Sequence, residues 1–212
     1  MKTAQARRPR AKRGEGDKLR GDILDVAERM LVEAGNEDAV SIRAIAKAVG
    51  CTPPAIYLHF ADKDQLFFEV CARRFQEFDR AVFEEGDAVD DPLESLRLSG
   101  KAYIRFGLEH PEHYKLLMMV PKTKLAEELG PDAPGMAAFQ HLVDTVQRCL
   151  DAGVISEDHG ATNVAVALWS ACHGITALLI TFTNFEHFVE GNNVEGLVDL
   201  LLDVQLEGLL AI

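Results

Sequence analysis

Thr52, Pro53, Ala55, Tyr57 and His59 are the side chains best placed to meet a ligand, because Ile56 and Phe60 lie one helical turn apart and claim the inward side between them. Their types suit recognition rather than bond-making. The Thr52 hydroxyl can reach a phosphate backbone, Pro53 and Ala55 offer apolar surface to a thymine methyl group, and no nucleophile stands beside a base. Ser41, Arg43, Pro54 and Lys63 flank these five and complete a candidate set of DNA contacts.

Such contacts need firm elements beneath them, and the local spacing supplies these. Ser41 can cap a helix whose Ile42, Ile45, Ala46 and Val49 fall on one face, and Gly50 provides the permissive backbone that ends it. Thr52 then serves as N-cap of a second helix. Proline in its first turn loses no bond for want of an N–H, although Pro54 strains the α conformation of Pro53, so this helix is very short. Asp62 and Gln65 read as the capping box of the next helix, which carries Leu66, Phe67 and Val70. Two short helices, a glycine turn and a new helix start spell a helix-turn-helix.

The block from about Ile23 to Leu66 closely resembles the DNA-binding domain of TetR-type transcriptional regulators. These carry a small apolar second helix, a V-S/T-x-x-x-L-Y-x-H/Y-F recognition helix and an x-K-x-x-L opening of helix four. Here the pattern reads Cys51-Thr52-Pro53-Pro54-Ala55-Ile56-Tyr57-Leu58-His59-Phe60-Ala61-Asp62-Lys63-Asp64-Gln65-Leu66, with Cys51 for the valine and Ile56 for the leucine, both mild apolar exchanges. The resemblance implies that the first three helices and the start of the fourth bind operator DNA. It also implies that the rest binds a small molecule and dimerises, and that Tyr57 and Lys63 hold phosphate-contacting positions. Further on, Trp169-Ser170-Ala171-Cys172-His173-Gly174 resembles the W-x-x-x-H-G signature of one C-terminal subgroup of the same family.

Charge follows the same division. Over its 212 residues the chain carries a net charge of −12, yet residues 1–63 hold 12 Lys and Arg against 9 Asp and Glu, while residues 64–212 hold 10 against 25. Lys2, Arg7, Arg8, Arg10, Lys12, Arg13, Lys18 and Arg20 concentrate the positive charge in a flexible basic arm over residues 1–20, suited to phosphates or a minor groove. Cys51, Cys71, Cys149 and Cys172 show no CxxC spacing and no signal peptide precedes them, which points to a reducing cytoplasm. Only Cys51, beside the recognition helix, is a candidate redox thiol, and packing is the simpler role. Pro111 separates His110 from His113, so no metal site is assigned, and no cofactor.

Beyond Leu66 the pattern is helical throughout and the fold class is all-α. A first helix runs from about Ile23 to Ala34. A fourth runs from Lys63 to near Glu85. Leu93, Leu96, Gly100, Tyr103, Gly107 and His110 mark one further helix, and Met136, Phe139, Val143, Val146 and Leu150 another. A shorter apolar helix spans His113 to Val120, followed by a polar loop from Pro121 to Gly135. Residues 161–185 contain no charge and invite a membrane reading, but no Lys or Arg follows Arg148 to anchor such a span, and Asn163, Ser170, His173, Thr176, Thr181 and Thr183 interrupt it. A helix apolar on all sides needs cover on all sides, which a second subunit can complete. The last helix, with Val194, Leu197, Val198, Leu201 and Val204, is its expected partner in a four-helix dimer bundle.

Trp169 and His173, one turn apart, can line a common wall; Tyr103, Phe106, Met118, Met119 and Phe139 can complete an apolar effector cavity. The expected organisation is a basic arm (1–20), a helix-turn-helix domain (21–66) and a ligand-binding, dimerising domain (67–212). The expected function is a cytoplasmic, homodimeric repressor. Two recognition helices would enter successive major grooves of double-stranded operator DNA about 34–36 Å apart, and a small hydrophobic effector hydrogen-bonding His173 would release them. An activator or ligand-independent DNA binder of the same family is the near alternative. A helical enzyme or lipid-binding protein is the distant one, for which no catalytic constellation is found.

Overall fold

A computed structural model describes residues 15–119 and 135–210. The first fourteen residues of the basic arm and the polar loop over 121–134 lie outside the described residues. The chain divides into two compact units that part between Val70 and Cys71, rather than after Leu66.

The first unit is built from α1 (Glu15–Ala34), α2 (Ile42–Val49), α3 (Pro53–Ile56) and the opening turns of α4 (Lys63–Asp87). Helix α1 begins well before Ile23, so residues 15–20 are helical rather than part of a flexible arm. Apolar periodicity starts only at Ile23; the earlier turns are held by Arg20, whose guanidinium pairs with Glu69 and lies 5.1 Å from the Phe60 ring centroid. Ile23, Ala27 and Leu31 from α1, Ile45 and Ala46 from α2, and Ile56, Phe60, Leu66 and Val70 are all buried and form the core.

The second unit contains the remainder of α4, then α5 (Pro92–Glu109), α6 (Pro111–Tyr114) running into a wide π turn over Lys115–Met119, α7 (Met136–Asp151), α8 (Ala161–Thr181) and α9 (Val194–Glu207). The described residues contain no β-strand beyond one isolated bridge between Ile155 and Leu210, in keeping with the all-α expectation. Helix α5 is central, with α7, α8 and α9 packed on it. At Gly107 it meets Thr176 and Tyr114 so closely that a Cβ there would collide with Thr176. Any larger residue would force α5 and α8 apart.

Helix α8 is long and apolar enough to cross a membrane, with mean hydropathy 1.8. Val164, Ala165, Leu168, Cys172 and Thr176 nonetheless pack into the unit, while Val166, Trp169 and Leu178 remain exposed. Helix α9 leans mainly on α5 rather than pairing with α8. Leu202 and Leu206 are buried, Val198 and Leu201 pack against the core, and Leu200 and Val204 face outward. Lys101–Asp199 at 2.5 Å and Arg97–Asp203 tie α5 to α9 along their edge.

Candidate DNA-reading face and body cavity

In the first unit the Ser41 hydroxyl accepts from the Ala44 N–H at 3.2 Å and starts α2. Gly50 ends it in the left-handed region (φ 79°), with the Cys51 N–H donating to the Ala46 carbonyl at 2.9 Å. Thr52 occupies the N-cap of α3 but its hydroxyl caps nothing. The reason is local: Pro53 and Pro54 have no N–H, and the Ala55 N–H is already held by the Thr52 carbonyl at 2.8 Å. The hydroxyl is thereby left for an external partner.

Thr52 and Pro54 are exposed, Tyr57 is 52% exposed, and Pro53, Ala55 and His59 are half-buried around the inward-facing Ile56 and Phe60. Ser41 and Arg43 are exposed on α2. His59 is shared with the fold, since its ring lies beside Gly16 of α1. Lys63 opens α4 with its ammonium 5.2 Å from the Phe67 ring centroid, which fixes the side chain without neutralising it. The Asp62 carboxylate accepts from the Gln65 N–H at 2.7 Å, and the Gln65 side chain reaches back to the Ala61 N–H, one residue before the Asp62 N–H that the full capping box would use. Leu58 was not among the expected contacts, yet it is 84% exposed. With Ile56 and Phe60 inward, the residue midway between them must point away; its leucine identity concealed this.

The second unit encloses a cavity of about 400 Å³. Four of the expected lining residues, Tyr103, Met118, Phe139 and Trp169, stand on its wall. Phe106 does not: it packs edge-on against Phe78, centroids 5.2 Å apart, behind the wall. Met119 is 37% exposed and is not on the wall. His173 is also off the wall. The largest unforeseen contribution comes from α4, whose Phe75, Phe78, Val82 and Phe83 form one side; the i, i+3, i+7 spacing of the first three was the available signal.

From the wall a hydrogen-bonded chain runs inward. The Trp169 indole N–H donates to the Tyr103 hydroxyl at 3.1 Å, the Tyr103 and Tyr114 hydroxyls are 2.9 Å apart, and the Tyr114 hydroxyl is 2.7 Å from His173 Nδ1. Burial drives the Tyr103 phenol far above its ordinary value, pushes Tyr114 up to about 12 and holds His173 below its ordinary value. His173 is thereby joined to the wall through the two tyrosines.

Burial also raises the Cys51 thiol, the wrong direction for a reactive thiolate. Cys71, Cys149 and Cys172 are buried and take part in no disulfide among the described residues. Among the described residues no three His, Cys, Asp or Glu side chains converge as a metal site would require.

Comparison with known proteins gives this arrangement its context. The family described as bacterial regulatory proteins, tetR family, matches residues 23–70, and the tetracyclin repressor-like C-terminal domain matches residues 96–205. The HTH-type transcriptional regulator AcrR of Shigella flexneri is 26% identical over 169 residues, covering 76% of this chain and 78% of that one. The HTH-type transcriptional activator FasR of Mycolicibacterium smegmatis is 26% identical over 161 residues, covering 72% and 68%. Among solved structures, a TetR family transcription regulator from Marinobacter aquaeolei superposes with a TM-score of 0.67 at 18% identity, over 95% of this chain and all of its own, and so shares the fold. With a matching DNA-binding head and a C-terminal domain matched over more than half of the chain, the chain belongs to the TetR family of bacterial transcriptional regulators and is, like its relatives, a DNA-binding regulator rather than an enzyme.

Proposed function

We propose that this regulator is a cytoplasmic homodimeric repressor released from its operator by an apolar small molecule held in the body cavity. The cavity carries the reading: its size is that of ordinary ligand sites, and its wall is aromatic and aliphatic with two hydrogen-bonding side chains. Among the described residues no lysine or arginine lines it, which disfavours phosphorylated ligands. Helix α4 supplies both the Lys63 end and the Phe75–Phe83 wall, so one continuous helix carries residues of both functions. Release requires only that the effector bind the DNA-competent and DNA-incompetent states with different affinity.

In this reading Thr52, Tyr57 and Lys63 hold phosphates, Pro53 and Ala55 meet base edges, and Ser41, Arg43, Pro54 and His59 flank them, with Leu58 added on its exposure. Dimerisation uses the outward apolar side chains of α8 and α9, notably Val166, Leu178, Leu200 and Val204. The test combines operator mobility shifts with emission from Trp169, the single tryptophan, while apolar compounds are titrated. A compound that releases DNA should also change the emission. Release with emission unchanged would place the effector elsewhere, and reporter output that rises with the protein's expression would make it an activator.

A further inference from the structure

The cavity reading can be carried one step further, to the chemistry of the ligand's polar group; this step rests on that reading. Among the described residues the two hydrogen-bonding side chains of the wall are Trp169 and Tyr103, and what they offer a ligand is set by the direction of the bonds behind them. An indole N–H can only donate, and that of Trp169 is committed to Tyr103 at 3.1 Å. One lone pair of the Tyr103 oxygen is thereby occupied.

At the far end, Tyr114 and His173 Nδ1 are 2.7 Å apart. A phenol is a far stronger acid than a neutral imidazole N–H, and an imidazole nitrogen a far stronger base than a phenol oxygen, so Tyr114 donates and His173 accepts. Tyr114 has then given up its only proton and must accept from Tyr103, 2.9 Å away. Thr176, beside Tyr114, can spend its one hydroxyl proton on the Cys172 carbonyl, 2.7 Å away, or on Tyr114, and in either case Tyr114 keeps a lone pair for Tyr103. The Tyr103–His173 separation of 3.5 Å is too long to compete. Burial keeps His173 neutral near neutral pH, and the groups contacting it, Tyr103, Tyr114 and Trp169, are uncharged there. Tyr103 thus turns its proton inward to Tyr114 and retains one unoccupied lone pair.

We propose that the Trp169–Tyr103–Tyr114–His173 chain makes the cavity select apolar ligands bearing a hydrogen-bond donor, a hydroxyl or an amide N–H, over isosteres that can only accept. A ketone at this position would oppose its lone pairs to that of Tyr103, or force the chain to break.

The test titrates 2-undecanol and 2-undecanone into the full-length protein near neutral pH, followed by Trp169 emission and calorimetry. The alcohol should bind about tenfold more tightly, the equivalent of one hydrogen bond gained against one acceptor left unpaired. Tyr114→Phe frees the Tyr103 proton to turn into the cavity and should abolish or reverse the preference; Tyr103→Phe should make the two compounds bind alike. Equal affinities in the unaltered protein, or an unchanged preference in a cooperatively unfolding Tyr114→Phe variant, would overturn the inference while leaving the cavity as effector site. Binding of neither compound would overturn the cavity reading and the inference with it. Should Tyr114→Phe not fold, the unaltered protein and Tyr103→Phe decide the matter alone.

Discussion

The indole nitrogen of Trp169 lies 3.1 Å from the hydroxyl of Tyr103, joining α8 to α5 through a bond that neither helix could form alone. Both rings also stand on the cavity wall, so the same contact braces the body and reports on its contents. Tyr103→Phe leaves the part-buried indole N–H without its acceptor and the buried Tyr114 hydroxyl with one partner fewer. It should lower stability by about 1–3 kcal/mol, read as a shift in the chemical denaturation midpoint. No shift would mean that the bond contributes nothing net.

Acidification should weaken the body through His173. Burial holds its imidazole below the ordinary value of 6.5, so the unfolded chain takes up the proton more readily than the folded one. Stability is therefore full above that ordinary value and declines as pH falls through and below it. The unfolding midpoint of His173→Gln should fall less steeply with acid; parallel curves for the two proteins would acquit His173.

Ser41 and Thr52 should separate folding from binding. Ser41→Ala removes the bond to the Ala44 N–H and should cost about 1 kcal/mol of head stability. Thr52→Ala removes no intramolecular bond, so the thermal transition should stay in place while operator affinity drops. A destabilised Thr52→Ala protein would show that its hydroxyl has a partner within the fold.

Site selection from random DNA distinguishes positioning from reading. Tyr57→Phe and Lys63→Ala should weaken binding to all sequences alike, because phosphate contacts carry no base information. Ala55→Ser should alter the preferred sequence, adding a hydroxyl where an apolar contact stood. A consensus altered by Tyr57→Phe, or left intact by Ala55→Ser, would exchange the two roles.

The dimer is tested on the outward face of α9. Leu197 is half-buried, whereas Leu200 and Val204 are 58% and 59% exposed and one turn apart, so Leu200→Glu and Val204→Glu place charge at the proposed interface without entering the core. Sedimentation should show monomers that bind the operator poorly. Intact dimers would move the interface to another surface.

Local chemistry made the DNA-reading head legible in the sequence. A serine cap, a left-handed glycine, an Asp-x-x-Gln box and the inward pair Ile56 and Phe60 act over a few residues, where spacing in the chain is spacing in space. The same locality made α4 and α8 visible as helices. Only the tertiary structure decided which of their faces meet. Phe75–Phe83 became a cavity wall, although the sequence marked α4 only as a helix, and His173 and Phe106 fell behind that wall, although spacing allowed them onto it. Tyr114, fully buried between Tyr103 and His173, is tied to partners 11 and 59 residues away. Helical periodicity fixes which side chains share a face, but the neighbour that face receives depends on how helices distant in sequence cross, and here the close approach at Gly107 sets the α5–α8 crossing.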